Sequence, residues 1–259
     1  MRLSPRLQAV TTRVQGEVAA DVGTDHGHLA AYLLDTGRCS RVIAIENAPG
    51  PAERAQRHLA RRGGDRAELR RGHGLDPLAP GEADVAIIAG LGGDTMVAIL
   101  AGARDKASRF ILQPMTRAAR LRAWLVNERF LVVDEDLIDE GRRLYDLLVA
   151  VPGGPGDGVA CSPPVEPFQL TPDGRLSRDL VLEIGPLLLA GGHRLLPRRL
   201  RELAGRRQRV AAMAALSSDE QGRGAALTAA GEIRILEALY RRLTGDEGWR
   251  NRCSPGSAR

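Results

Sequence analysis

Aromatic residues are nearly missing from this chain, with Phe, Tyr and Trp together making up 3% of its 259 residues. Its core must therefore be packed from Ala, Val, Leu and Ile, and any surface that stacks on nucleobases has few rings to use. Lysine is scarcer still: Lys106 is the only one, so almost all of the 37 basic residues are arginine. The three cysteines, Cys39, Cys161 and Cys253, stand far apart with no Cys-x-x-Cys pair, which argues against a disulfide framework and against a zinc site. No metal is expected. Nowhere do ~18 apolar residues run uninterrupted, and the segment from Met1 to Val10 has no apolar h-region. A soluble, cytoplasmic protein with no membrane partner is the expectation.

What the chain does have is 43% hydrophobic residues, enough for a packed core and too many for wholesale disorder. Its length allows one large domain, or a domain of about 150 residues with an appendage. The net charge is +5 and the sequence pI is near 9.7. The arginine bias has two readings. A GC-rich genome favours Arg, Ala and Gly codons together, whereas an anionic partner favours guanidinium forks that match phosphate. Composition leaves both open.

Apolar runs at residues 17–22, 41–46, 67–71, 84–89, 109–113, 131–136 and 144–151 read as strands, several of them continuously apolar as strands buried on both faces are. Segments of helical character at 29–34, 52–62 and 96–101 alternate with the first five, which implies βαβ units and a mostly parallel sheet. Residues 137–143 are too few for a crossover helix, so the last two strands should pair antiparallel. Five parallel strands closed by an antiparallel hairpin form the methyltransferase variant of the doubly wound α/β sheet: Rossmann-like, class I, parallel with one antiparallel strand.

Residues 151–157 (VPGGPGD) read as a linker. Beyond them, 176–189 has helical character, Gly191 and Gly192 mark a break, and a helix is expected over 195–216. Ser217–Asp219 is an N-cap region, and a further helix runs to about Leu243. The two long helices should form an antiparallel α-helical hairpin. Arg198, Arg199, Arg201, Arg206, Arg207 and Arg209 would give it an arginine-rich exposed face, either simply solvated or in contact with RNA. The tail from Asn251 is expected to be disordered.

The chemistry concentrates where strands end. The first strand runs into Asp21-Val22-Gly23-Thr24-Asp25-His26-Gly27, a glycine turn at the carboxyl edge of the sheet, where ligands bind in this architecture. A pyrophosphate site would carry Gly-x-Gly-x-x-Gly. Here Asp21 and Asp25 would repel phosphate and suit a ligand with a sulfonium and an ammonium group. Glu46 closes the second strand, placed to accept ribose hydroxyls as in nucleoside cofactor sites generally. The third strand leads to Gly72-His73-Gly74-Leu75-Asp76, on the side where an adenine would lie, with His73 either a loop residue or a contact. The fourth ends in Ala89-Gly90-Leu91-Gly92-Gly93 in place of the Asn/Asp-Pro-Pro-Tyr of exocyclic-amine methyltransferases, and the fifth in Gln113-Pro114-Met115-Thr116.

Taken together, Leu3-Ser4-Pro5-Arg6-Leu7, Asp21 to Gly27, Ala89 to Gly93, Leu112-Gln113-Pro114, Tyr145 to Ala150, Gly185-Pro186-Leu187-Leu188 and the helical tail resemble the bacterial family of tRNA adenine-N1 methyltransferases that modify adenine 22. The likeness is one of whole-chain organisation. The chain departs from it at Met115, where the family tends to have Asn, and at His73, where it tends to have an acidic residue.

The resemblance implies S-adenosyl-L-methionine as methyl donor and tRNA as partner. It also implies a Rossmann-like catalytic domain over residues 1–155 and a coiled-coil-like helical domain over 170–248. It makes Asp25 the catalytic residue, taking a hydrogen bond or proton from the adenine N6. Asp21, Gly23, His26, Glu46, His73, Gly74, Ala89 and Gly90 are the candidate cofactor contacts, with His26 either assisting catalysis or capping its helix. A flipped target base would stack on Tyr32 or on an arginine plane. A monomer is expected. Three other readings stand beside this one: a methyltransferase of another RNA, a protein or a small molecule; a catalytically idle RNA-binding protein; and, against the paired aspartates, a nicotinamide oxidoreductase.

Overall fold

The seven expected strands form one sheet, buried on both faces at its centre and more open at its two edge strands. The computed structural model describes residues 3–154, 169–171, 174–216 and 219–245. Its strands are β1 (Val18–Val22), β2 (Arg41–Glu46), β3 (Ala67–Arg71), β4 (Ala83–Gly92), β5 (Ala107–Thr116), β6 (Phe130–Asp139) and β7 (Leu144–Pro152). They lie in the order β3-β2-β1-β4-β5-β7-β6. The first five are mutually parallel, and β7 runs against both of its neighbours, β5 and β6. Ile43, Ala44, Ile87, Ile88, Ile111 and Leu112 are fully buried at the centre. Strand order reverses at β1, which lies between β2 and β4, so the ligand edge of the sheet opens at the carboxyl ends of these strands.

The crossovers are α2 (His28–Asp35), α3 (Pro49–Arg62) and α4 (Gly93–Leu100). Two helices outside the sequence expectation join them. Helix α1 (Pro5–Thr11) precedes β1, starts on a proline and packs on β5, β6 and β7. Helix α5 (Ala118–Asn127) lies between β5 and β6 and buries Leu121 and Leu125 together with Arg122. Arg122 bonds Glu135 Oε1 through Nε at 2.5 Å and Asp146 Oδ1 through Nη2 at 2.6 Å, pinning α5 to β6 and β7. Burial opposes the guanidinium charge, yet the two carboxylates hold its pKa above the ordinary value.

The chain divides into two compact units, residues 1–162 and 163–259. In the second, β8 (Gln169–Thr171) and β9 (Gly174–Arg175) pair antiparallel and lead to α6 (Arg178–Ile184), which Ser177 caps by accepting from the Leu180 N–H at 3.2 Å. The expected helical stretch 176–189 is in fact two helices: α6 ends at Gly185, and Pro186 starts α7 (Pro186–Ala190). Helices α8 (Leu196–Ala214) and α9 (Glu220–Thr244) form the hairpin around Leu200, Leu203, Leu236 and Leu239, with Asp219 capping α9 through the Gly222 N–H at 2.6 Å.

The arginine face needs correcting. Arg199 is buried at 6% exposure, Arg207 pairs with Glu183 and Glu232, and Arg198 pairs with Glu202. Arg201 lies over the Tyr240 ring, and Arg206 and Arg209 are exposed. The buried stripe of α8 stops at Ala204, leaving Met213 74% exposed. The end of the 151–157 linker, Ser217, Cys161, Cys253 and the tail from Asn251 lie outside the described residues. Among the described residues no helix is long and apolar enough to cross a membrane, and no cluster of three or more His, Cys, Asp or Glu could hold a metal ion.

Candidate active site

The first turn is built from backbone that few residue types accept. Gly23, Asp25 and Gly27 all have positive φ, at 72°, 50° and 71°. Aspartate is among the few side-chain-bearing residues that visit this region readily. At Gly27 a Cβ would also lie 3.1 Å from Leu59 Cγ and 3.5 Å from Ala55 Cα, so the glycine lets the start of α2 close on α3. Around Gly23 the space is open, and a ligand could approach the backbone there. The Gly23 and Thr24 N–H groups donate to the Ile45 carbonyl at 2.9 and 3.1 Å, which locks the turn to the end of β2.

Asp21 lies beneath this turn at 4% exposure. It accepts from Thr24 Oγ1 at 2.6 Å and from the Ala30 N–H. Burial pushes its carboxyl up to about 6; the two hydrogen bonds oppose the shift and the charge of Glu46 adds to it. Glu46 reaches back over the same turn. Its Oε2 accepts from the Asp25 N–H at 3.1 Å and its Oε1 from the Ala48 N–H at 2.9 Å.

Asp25 itself faces solvent, its side chain 63% exposed, with His26 Nε2 at 3.6 Å and Arg54 Nη2 at 3.9 Å. Arg54 Nε donates to His26 Nδ1 at 3.2 Å. His26 stacks on His28, which meets His58 edge-on. His26 does not cap α2, whose N-cap is Gly27 and carries no side-chain cap bond. Arg54 was not legible as a site residue, because its place on the outer face of α3 is that of any solvated arginine.

Asp21, Gly23, Asp25, His26 and Glu46 thus share one hydrogen-bonded turn. The Gly72 N–H donates to the Glu46 carbonyl at 3.3 Å and brings the His73–Gly74 turn to the same edge, with His73 exposed. Ala89 and Gly90 lie near the carboxyl end of β4, where its pairing with β5 shifts register between Ala89 and Leu91. Past them, a Cβ on Gly93 would fall 2.5 Å from the Arg117 carbonyl oxygen, so only glycine fits.

The opposite wall of the edge comes from residues far away in sequence. Gln113 is fully buried; its Oε1 accepts from Arg6 Nη1 at 2.8 Å, and its Nε2 donates to the Pro114 carbonyl at 3.1 Å. The Arg6 N–H donates to Glu140 Oε1 at 3.0 Å, and its guanidinium lies 5.7 Å from the Tyr145 ring centroid. Tyr32, one of the two candidate stacking groups, is partly buried and packs against the core from α2.

The donor set suits a nucleoside bearing positive charge. It combines a buried carboxylate, a second carboxylate at the end of β2 and a glycine open to backbone approach, and none of these favours a pyrophosphate.

Known proteins match this arrangement. Residues 3–148, more than half of the chain, match a family model described as a methyltransferase domain. The tRNA (adenine(22)-N(1))-methyltransferase of Bacillus subtilis (strain 168) is 37% identical over 170 residues, 62% of this chain and 71% of that protein. The crystal structure of the B. subtilis M1A22 tRNA methyltransferase TrmK superposes with a TM-score of 0.74 at 28% identity, covering 92% of this chain and 99% of that one. The structure of M. capricolum TrmK in complex with S-adenosyl-homocysteine has a TM-score of 0.72 at 20% identity, covering 92% of this chain and 100% of that one, a likeness of fold alone. On its domain match and its 37% identity to the B. subtilis enzyme, the chain belongs to the family of tRNA (adenine-N1)-methyltransferases.

Proposed function

We propose that this chain transfers the methyl group of S-adenosyl-L-methionine to N1 of adenine 22 in tRNA. The observation that carries the reading is the interlock of Asp21, Asp25 and Glu46 around one turn, in a chain 37% identical to an enzyme named for that reaction. When bound, S-adenosylmethionine supplies a methyl group on a cationic sulfur. Asp21 holds the turn through Thr24 and adds negative charge toward the ammonium and sulfonium. Glu46 accepts from the ribose hydroxyls with the lone pairs that its two backbone bonds leave over. Gly23 admits the methionine part against the backbone, His73 and Gly74 flank the adenine, and Ala89 and Gly90 line the β4 side.

Adenine N1 already carries a lone pair, so the chief demand is alignment. Methylation leaves the ring cationic. Asp25, exposed and acidic, accepts the N6 hydrogen bond or proton and so stabilises the developing charge. His26, held by Arg54, keeps the Asp25 carboxylate in place. We assign this chemistry to residues 1–155 and tRNA gripping to residues 170–248, where exposed Arg206 and Arg209 suit phosphate contacts that carry no sequence information. The chain acts as a monomer in the cytoplasm.

The test is labelled-methyl transfer to a tRNA transcript with A at position 22, beside a matched transcript with G there. Label in the first alone, recovered as 1-methyladenosine on digestion, supports the reading. Equal labelling of both discards the site, and labelling of neither discards tRNA as substrate.

A further inference from the structure

Tyr145 is the second residue of β7, two residues past Arg143, which belongs to the turn that follows β6. Because β7 runs against β5, this turn returns to the carboxyl edge of the sheet, and Arg143 Nη2 there donates to the Met115 carbonyl near the end of β5. Two guanidiniums share the ring: that of Arg143 lies 5.1 Å from its centroid and that of Arg6 lies 5.7 Å away. They come from opposite ends of the first unit, yet each is aimed by a bond to β5, Arg6 through the buried Gln113 side chain and Arg143 through the Met115 carbonyl. Arg6 Nη1 also lies 3.7 Å from where a Cβ on Gly90 would be, which puts it beside the register shift near the carboxyl end of β4 at the candidate site.

Each arginine has five N–H donors. Arg6 gives one to Gln113 and lies beside Glu140, its Nε 3.7 Å from Oε2, so a phosphate would meet the remaining donors of Arg6 and those of Arg143. A guanidinium whose plane is fixed by an aromatic ring and by one hydrogen bond is preorganised for a forked contact with a phosphate. Contact with the reacting base itself is disfavoured, since N1 methylation places positive charge on the ring and a nearby guanidinium would raise that barrier.

We propose that Arg6 and Arg143, ordered by Tyr145, form a phosphate clamp that holds the tRNA backbone beside the target nucleotide. The clamp lies in the catalytic unit, separate from the arginines of α8. It rests on the reading of tRNA as substrate.

The experiment measures binding of the A22 and G22 transcripts across a salt series, together with methyl transfer and cofactor affinity. It uses the full chain and the variants Arg6→Ala, Arg143→Ala, Tyr145→Ala and the control Arg38→Ala, an exposed arginine at the turn before β2. A lost phosphate contact lowers the slope of log K against log salt by about one, equally for both transcripts. The Arg6 and Arg143 variants are expected to show that drop, with KM for tRNA raised about tenfold and cofactor affinity held within about twofold. Tyr145→Ala should resemble the two together, and Arg38→Ala the parent chain. Parental slope and KM in both Arg6→Ala and Arg143→Ala would overturn the clamp. So would loss of cofactor affinity in Arg143→Ala in step with KM, since that marks a folding defect. A parent chain that binds both transcripts with the steep slope but methylates neither removes the proposed reaction, and the variant slopes then decide the clamp alone.

Discussion

The Asp25 N–H donates to Glu46 Oε2 at 3.1 Å, so the residue at the head of the helical turn is held by the carboxylate that ends the neighbouring strand. The bond uses the backbone of Asp25 and leaves its side chain exposed toward the edge. Positioning and chemistry are therefore separable at this residue.

Asp25→Asn exploits that separation, because asparagine accepts a φ near 50° while an alanine there would add strain of about 1 kcal/mol. Turnover should fall by roughly a hundredfold or more, the usual size of an acid–base contribution. Cofactor affinity should stay within about tenfold, or about 1.4 kcal/mol. Calorimetry beside single-turnover methylation separates the two. A variant that turns over normally and binds cofactor poorly would make Asp25 a binding residue.

Glu46→Ala removes both backbone bonds and the ribose acceptor. Cofactor affinity should drop by about ten- to a hundredfold, since bonds to a charged acceptor are each worth about 1.5–3 kcal/mol. Equilibrium dialysis with labelled cofactor reads this directly. Undiminished affinity would place the ribose elsewhere.

Asp21 gives a pH signature. Its carboxyl is raised from 3.8 to about 6, so the folded chain holds this proton more tightly than the unfolded chain does. The stability it contributes is complete below about 4 and is lost as pH rises to about 6, by up to about 3 kcal/mol. Asp21→Asn should flatten that part of the stability–pH curve. Denaturant unfolding of both chains at intervals between pH 4 and pH 7.5 checks it, and parallel curves would reject the assignment.

Arg122→Met should cost about 3–5 kcal/mol, because it strands Glu135 and Asp146 in the interior without their cation. The midpoint of urea unfolding should fall with little change in slope. A loss below about 1 kcal/mol would mean that water reaches the two carboxylates.

All seven strands of the main sheet could be read from the sequence, because runs such as Arg41–Glu46 and 84–89 are short, mostly apolar and bounded by turns, and Ala67–Arg71, largely charged, follows from the alternation of strands with helices. The turn from Asp21 to Gly27 was equally plain, since its glycines and aspartates are local requirements of a bend and a charged ligand. Helix α5 was not, for its buried face includes Arg122, which reads as polar until Glu135 and Asp146 are brought to it. Arg199 misled in the same way, counted with a solvated face though the fold buries it. The wall made by Arg6, Gln113 and Tyr145 spans most of the first unit's length, and no periodicity connects residues so far apart. The break at Gly185 was visible as a glycine before a proline, but the apolar run across it suggested one helix.

Gly93 restricts how this protein could acquire a different substrate. Any side chain at that position would strike the Arg117 carbonyl oxygen, so the residue that starts α4 cannot itself carry a bulky, ring-bearing grip on a base. The opposite wall also carries exposed or half-buried side chains, Arg6 on α1 and Arg143 on the turn between β6 and β7, beside the buried Gln113 of β5. Change in how the RNA backbone is gripped should therefore be recorded there, while the glycine at the head of α4 stays constant.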